Sequence, residues 1–141
     1  MDTLNDFHRL VGETIMYCQC IEHDIKLIYA GMLQGDFDEN FQEIEDSPLG
    51  PVLKKLEKLD NSDDNPHLST GDYALLDKIR DIRNHWAHKA YVKFVYYKDS
   101  SYDKNYLQQY RRLENDHNRL AKLSDSIENV RFDVLKKYNR I

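Results

Sequence analysis

The sequence predicts an all-α protein, an up-and-down bundle of four to five helices. Two long segments carry apolar residues at helical spacing, and shorter segments between them do the same. The single run with strand-like composition, residues 91–97, has no second strand to join. A length of 141 residues suits one domain with one core, and we expect residues 1–141 to form it.

A long amphipathic helix is predicted first. Two sets of residues recur at intervals of seven and alternate along one face: Leu4, Val11, Cys18, Ile25 and Met32, with Phe7, Thr14, Ile21 and Ile28. Gly31 and Gly35 mark its end. The acidic segment from Asp36 to Asp46 then predicts a loop or a short exposed helix.

Three further helices are predicted downstream. Pro48 and Pro51 suit the start of a short helix containing "VLKKLEKL", which the run "DNSDDNP" ends. Ser69 and Asp72 are spaced as a capping pair for a third main helix that continues to about residue 90. A last long helix runs from Tyr106 to about Tyr138. Residues 91–104 are interpreted as a helix extension or an aromatic-rich connection.

The composition argues against several classes of protein. The formal net charge is −5, so contact with nucleic acid requires a local basic patch. The first residues lack a basic start and a long apolar run, so we expect no signal peptide. The sequence also has no apolar stretch of membrane-spanning length. Cys18 and Cys20 point about 200° apart on a helix, which suits neither a shared metal nor a disulfide. Reduced thiols and a cytoplasmic location are therefore expected, without membrane association.

The stretch "DIRNHWAHKAY", residues 81–91, carries the most chemistry. Arg80, Asn84 and His88 form one polar stripe, and Asp77, Asp81 and His85 form another beside it. An arginine binds phosphate through paired hydrogen bonds, and a histidine exchanges protons near neutral pH. With an asparagine to orient them, these groups suffice for metal-free RNA cleavage, because the RNA supplies its own 2′-hydroxyl nucleophile.

Local charge favours a phosphate ligand. Between residues 78 and 93 the basic residues outnumber the single acid, Asp81; they are Lys78, Arg80, Arg83, Lys89 and Lys93. Arg83 lies about 140° from His88 on an ideal helix, so the two converge only if the helix distorts or both reach the edge of one groove.

Simpler interpretations remain open for the same residues. His85 and His88 are also compatible with an ordinary solvated or paired helix face, and Arg83 with an ion pair to another helix. Trp86 and Ile82 are expected in the core. Asp81, His85 and His88 have a spacing that can surround a metal ion but lack a diagnostic pattern. We expect no metal and no cofactor.

"RNHWAH", Arg83 to His88, resembles the Arg-x4-His signature of HEPN domains, in which asparagine commonly follows the arginine as Asn84 does here. The surrounding "LLDKIRDIRNHWAHKAY" is similar to the third helix of that family, and the helical layout is similar over nearly the whole chain. Some HEPN toxins extend the motif to His-x-Tyr. Here position 90 is Ala90, and the tyrosine follows one residue later as Tyr91.

The resemblance implies a metal-independent endoribonuclease in a toxin–antitoxin or phage-defence setting. Arg83 is then expected to contact the scissile phosphate, His88 to act as the acid–base group and Asn84 to support their geometry. Helical spacing adds further candidate substrate-binding residues, which are Arg80, His85, Lys89 and Tyr91. The expected partners are RNA, a second copy of the chain and a protein antitoxin, with no DNA.

A symmetric homodimer across the third main helix and part of the first or last helix is expected on physical grounds as well. One arginine and one histidine on a convex helix make a poor pocket, whereas two such helices about a two-fold axis make a groove. Two alternatives stay open: a non-catalytic HEPN-like module that binds RNA, nucleotide or protein, and a helical scaffold whose polar stripe is a dimer seam. The acidic segment from Asp36 to Asp46 is a candidate for screening the basic groove.

Overall fold

The computed structural model describes residues 3–62 and 64–141, and these contain helices and no strand. The expectation of an all-α bundle is confirmed. Met1, Asp2 and Asp63, which belong to the predicted domain, lie outside the described residues. The helical segments are α1 (Leu4–Met32), α2 (Phe37–Ile44), α3 (Leu49–Asp60), α4 (Thr70–Leu76), α5 (Ile79–His88) and α6 (Ser100–Lys137).

The long helices α1 and α6 pack along each other and provide most of the core. Near the start of α1, the His117 Nε2 atom lies 2.7 Å from the Glu13 Oε1 atom. Further along, Arg131 Nη1 donates to Asp24 Oδ1 over 2.8 Å. The positions of both pairs increase together, so α1 and α6 run parallel. Their buried faces comprise Phe7, Val11, Cys18, Ile21, Ile25 and Ile28 from α1, with Tyr110, Leu113, Leu120, Leu123, Ile127 and Val134 from α6.

The ends of several elements follow from local capping. Thr3 and Asp6 form a capping box at the start of α1, and Ser69 and Asp72 form the predicted one at the start of α4. The acidic segment contains the short helix α2, which has no buried residue, as one of the two predicted alternatives requires. The described part of the chain contains no helix long and apolar enough to cross a bilayer.

The predicted third main helix is in fact two helices, because the chain breaks between α4 and α5. The Lys78 amide bonds to the Leu75 carbonyl over 3.0 Å instead of continuing the α-helical ladder. Leu76 and Ile79, on the two sides of the break, are both fully buried. No proline or glycine marks this position in the sequence, so packing of both side chains into one core takes precedence over helical continuity.

Residues 89–99 form turns and irregular backbone, so they are the predicted aromatic-rich connection and not a helix extension of α5. Residues 100–104, which the prediction included in that connection, belong to α6. Two aromatic side chains of the connection pack against Phe7 of α1: the ring centroids of Tyr91 and Phe94 lie 5.5 and 5.4 Å from that of Phe7. The edge-to-face arrangement is the one aromatic rings favour. Asp99 then caps α6, since its Oδ1 atom accepts from the Ser101 amide over 2.9 Å. This connection leads from α5 to α6, the two helices between which the candidate site lies.

Candidate functional site

An open groove lies between the polar face of α5, the connection that follows it and the facing side of α6. We call it the α5–α6 groove; its lining residues are Asp81, Asn84, His85, His88, Lys89, Lys93 and Arg112. α5 runs antiparallel to α6 here and is anchored by Trp86, whose Nε1 atom donates to Asp116 Oδ2 over 2.9 Å. Trp86 is 1% exposed, so its expected place in the core is confirmed, as is that of Ile82.

The α5–α6 groove is cationic. Lys89, Lys93 and Arg112 are exposed, and none of them forms an ion pair with another residue of the described chain. The Arg112 guanidinium lies 5.9 Å from the centre of the Trp86 ring, which holds it beside the groove. Against these three cations stands one carboxylate, Asp81. A groove of this charge attracts anions such as phosphate.

His85 forms part of the floor of the groove and is buried. Its Nε2 atom lies 2.8 Å from the Gln109 amide nitrogen, which can only donate, so Nε2 accepts and the ring is neutral. Burial lowers the pKa of His85 below its ordinary value, and the positive charge of Arg112 lowers it further. The hydrogen bond between His85 and Gln109 links α5 to α6, and it occupies the Nε2 lone pair, which is therefore not available to a substrate proton.

His88 and Asn84 present the accessible chemistry of the groove. His88 is exposed and Asn84 is half-buried, one turn apart on the same face of α5. Lys89 is exposed beside them. The structure therefore brings together the predicted site residues Asn84, His85, His88 and Lys89, and adds Lys93 and Arg112 to them.

Arg83 and Arg80 lie on another side of α5. They line a cavity between α1, the start of α3 and α5, together with Glu22 and Lys26. Within it, Arg83 Nη1 donates to Glu22 Oε1 in a half-buried ion pair. α5 remains a regular helix to His88. A single copy of the chain consequently does not bring Arg83 and His88 into one site.

Tyr91 also lies outside the α5–α6 groove. Its hydroxyl oxygen is 2.7 Å from His8 Nδ1, and its ring packs against Phe7. Burial raises the pKa of Tyr91 above its ordinary value. In the single chain this tyrosine fixes the connection after α5 to the start of α1.

Sequence reasoning missed the contribution of α6 to the groove. Gln109 and Arg112 are three residues apart and therefore share a face of that helix. The spacing alone could single them out as a polar pair, but it carries no information on which helix they face. That pairing depends on the tertiary contact between α5 and α6.

No metal centre accompanies the groove: within the ranges the structure describes, no group of three or more His, Cys, Asp or Glu side chains is arranged to hold an ion. Comparison with known proteins finds no matching family model, no matching curated protein and no matching solved structure.

Proposed function

We propose that this protein is a metal-independent endoribonuclease of HEPN type that acts as a homodimer. The observation that carries the proposal is the α5–α6 groove, in which His88 and Asn84 lie among three exposed cations. The cations suit the phosphates of an RNA strand, and an exposed imidazole suits proton transfer near neutral pH.

The reaction follows from groups that the RNA and the groove supply. The 2′-oxygen attacks the adjacent phosphorus and loses its proton to a base. The bond from phosphorus to the 5′-oxygen breaks, and that oxygen takes a proton from an acid. The products are a 2′,3′-cyclic phosphate and a 5′-hydroxyl. In a dimer, one His88 imidazole accepts the first proton, and the second copy's imidazolium donates the other.

Arg83 enters this scheme through the dimer. For Arg83 to contact the scissile phosphate, that phosphate would have to replace the Glu22 carboxylate, or the Arg83 side chain would have to reach a groove shared with the second copy. Phosphate and carboxylate bind the same N–H edge of a guanidinium, so such an exchange is chemically simple. A toxin–antitoxin or phage-defence setting, with a protein antitoxin that restrains the activity, belongs to the same proposal.

A ribonuclease assay in EDTA tests the proposal. We expect the wild type to release 2′,3′-cyclic phosphate ends, and His88→Ala to lose activity by about 100-fold or more, the scale of general acid–base catalysis. His23→Ala, which removes an exposed histidine of α1 outside the groove, is the matched control and should retain activity. Equal activity in the wild type and His88→Ala would point to a contaminating nuclease and refute the proposal.

The ion pair between Arg83 and Glu22 favours a second candidate, a non-catalytic module that binds RNA, nucleotide or protein. If Arg83 only joins α5 to α1, Glu22→Gln and Arg83→Ala should lower the free energy of unfolding alike, by about 1–2 kcal/mol for a half-buried pair. RNA binding that depends on Arg112, without cleavage, would establish this candidate. Loss of cleavage in Arg83→Ala with Glu22→Gln still active would exclude it.

A further inference from the structure

The α5–α6 groove continues beyond Lys93 and Arg112 into a second depression. We call it the Tyr97 depression; it is lined by Lys93, Tyr97, Asn105, Gln108, Gln109 and Arg112. Because Lys93 and Arg112 line both spaces, the two form one continuous surface. The depression has a volume of about 390 Å³, within the range of roughly 300–1,000 Å³ of small-molecule sites.

The residues of the Tyr97 depression combine three kinds of contact. Tyr97 is 47% exposed and supplies an aromatic ring to the lining. Asn105 is half-buried and Gln108 exposed, and their amides can both donate and accept hydrogen bonds. Lys93 and Arg112 supply positive charge at the boundary with the groove. An aromatic face beside cations and amides is how proteins hold unpaired nucleotides.

We propose that the Tyr97 depression binds one unpaired base of a single-stranded RNA. The base stacks on Tyr97, the amides of Asn105 and Gln108 contact its edge, and the adjoining phosphate lies against Arg112 and Lys93. The choice of RNA as the ligand rests on the function proposed above. A double helix does not fit, because its bases are paired and stacked and none is available to the tyrosine.

Binding of an uncleavable oligonucleotide separates this inference from the nuclease activity. A fluorescent single-stranded RNA with 2′-fluoro groups lacks the attacking hydroxyl, and its dissociation constant follows from fluorescence anisotropy. We expect Tyr97→Ala to weaken binding about tenfold, in keeping with the loss of one stacked base. Tyr97→Phe should bind as the wild type does, since it keeps the ring.

Tyr96→Ala is the matched control, because Tyr96 is the adjacent tyrosine, is 77% exposed and does not line the depression. It should leave the affinity unchanged, and a duplex of the same sequence should bind more weakly and equally to all variants. Equal affinities of Tyr97→Ala and wild type, or equal losses in the two alanine variants, would overturn the inference. If binding depends on Tyr97 but unmodified RNA is not cleaved, only the nuclease proposal is overturned.

Discussion

The two histidines of the motif occupy opposite environments although they are three residues apart. His85 is buried and accepts a hydrogen bond from Gln109, whereas His88 is exposed in the α5–α6 groove. Only an accessible imidazole can exchange protons with a substrate. At the scale of single residues, the same side chain therefore has a structural role at one position and is available for chemistry at the other.

The lowered pKa of His85 makes the fold sensitive to acid. Below the ordinary histidine value of 6.5, the unfolded chain binds a proton that the folded chain does not. Folding stability is therefore fully present above pH 6.5 and is lost as pH falls from there towards the folded-state pKa. We expect His85→Gln, which keeps an acceptor for Gln109 but does not titrate, to lose less stability on acidification. Urea unfolding at pH 7.5 and pH 5 measures this.

The quantity to compare is the change in the free energy of unfolding between pH 7.5 and pH 5, taken separately for wild type and His85→Gln. The substitution also changes packing, so the two proteins cannot be compared at a single pH. If wild type and His85→Gln lose the same free energy of unfolding between pH 7.5 and pH 5, burial of a neutral imidazole is not the source of acid sensitivity.

The residues of the core and of the groove differ in how far the sequence could predict them. Helical spacing places Trp86 and Ile82 on the buried side of α5 and Asn84 and His88 on the polar side, because period and polarity are local properties. The partners of these residues are not local. Asp116, which accepts from Trp86, comes from a different helix 30 residues away.

At the scale of elements, length and regularity decide what the sequence shows. α1 and α6 extend over many turns of a regular apolar pattern, so both were expected. The span of α1 is close to the prediction, whereas α6 begins at Ser100 rather than at Tyr106. α4 and α5 form one continuous pattern in the sequence and two helices in the structure. The aromatic run after α5 has strand-like composition, but it packs as turns around Phe7. Tertiary contacts decide both cases.

Gly12 is a site where α1 can be strengthened. It lies exposed within the helix, and a Cβ atom added there meets no other atom within 4 Å. We expect Gly12→Ala to raise the free energy of unfolding by about 0.5–1 kcal/mol, since alanine loses less backbone entropy in a helix. Urea denaturation gives the value.

Gly31 of the same helix provides the contrast. A Cβ atom added at Gly31 lies 2.8 Å from Leu135 Cδ2, so the Leu135 side chain must shift to accommodate it. Gly31→Ala should therefore gain less than Gly12→Ala. A lower denaturation midpoint for Gly12→Ala than for wild type would contradict the prediction and show that Gly12 does not reduce the stability of α1.

At the scale of the whole molecule, the candidate reactive groups lie on different sides of α5. His88 lines the α5–α6 groove, and Arg83 faces α1. A single chain of this shape exposes one histidine in an open groove, which is a poor pocket for catalysis. Two copies related by a two-fold axis would place two such grooves side by side, and the proposed nuclease depends on that assembly.

Light scattering coupled to size-exclusion chromatography tests the assembly. We expect a mass of twice 16.8 kDa at micromolar concentration. If α5 meets its symmetry mate across the two-fold axis as expected, Asn84→Arg brings two like charges together there and should shift the protein to monomer. Asn61→Arg, at an exposed position after α3, should leave the mass unchanged. A monomeric wild type would remove the composite site and the nuclease proposal with it.

The parallel pairing of α1 with α6 bears on how the chain reaches this structure. Glu13 and His117, which meet across that pair, are 104 residues apart. Helical bundles usually fold fast because their contacts are local in sequence. Here the central contact joins residues that are separated by most of the chain. At a synthesis rate of about 5–20 residues per second, the residues of α6 that pack against α1 are added roughly 5–20 seconds after their partners in α1. During that interval on the ribosome, we expect the part of α1 that packs against α6 to stay uncovered, which favours aggregation.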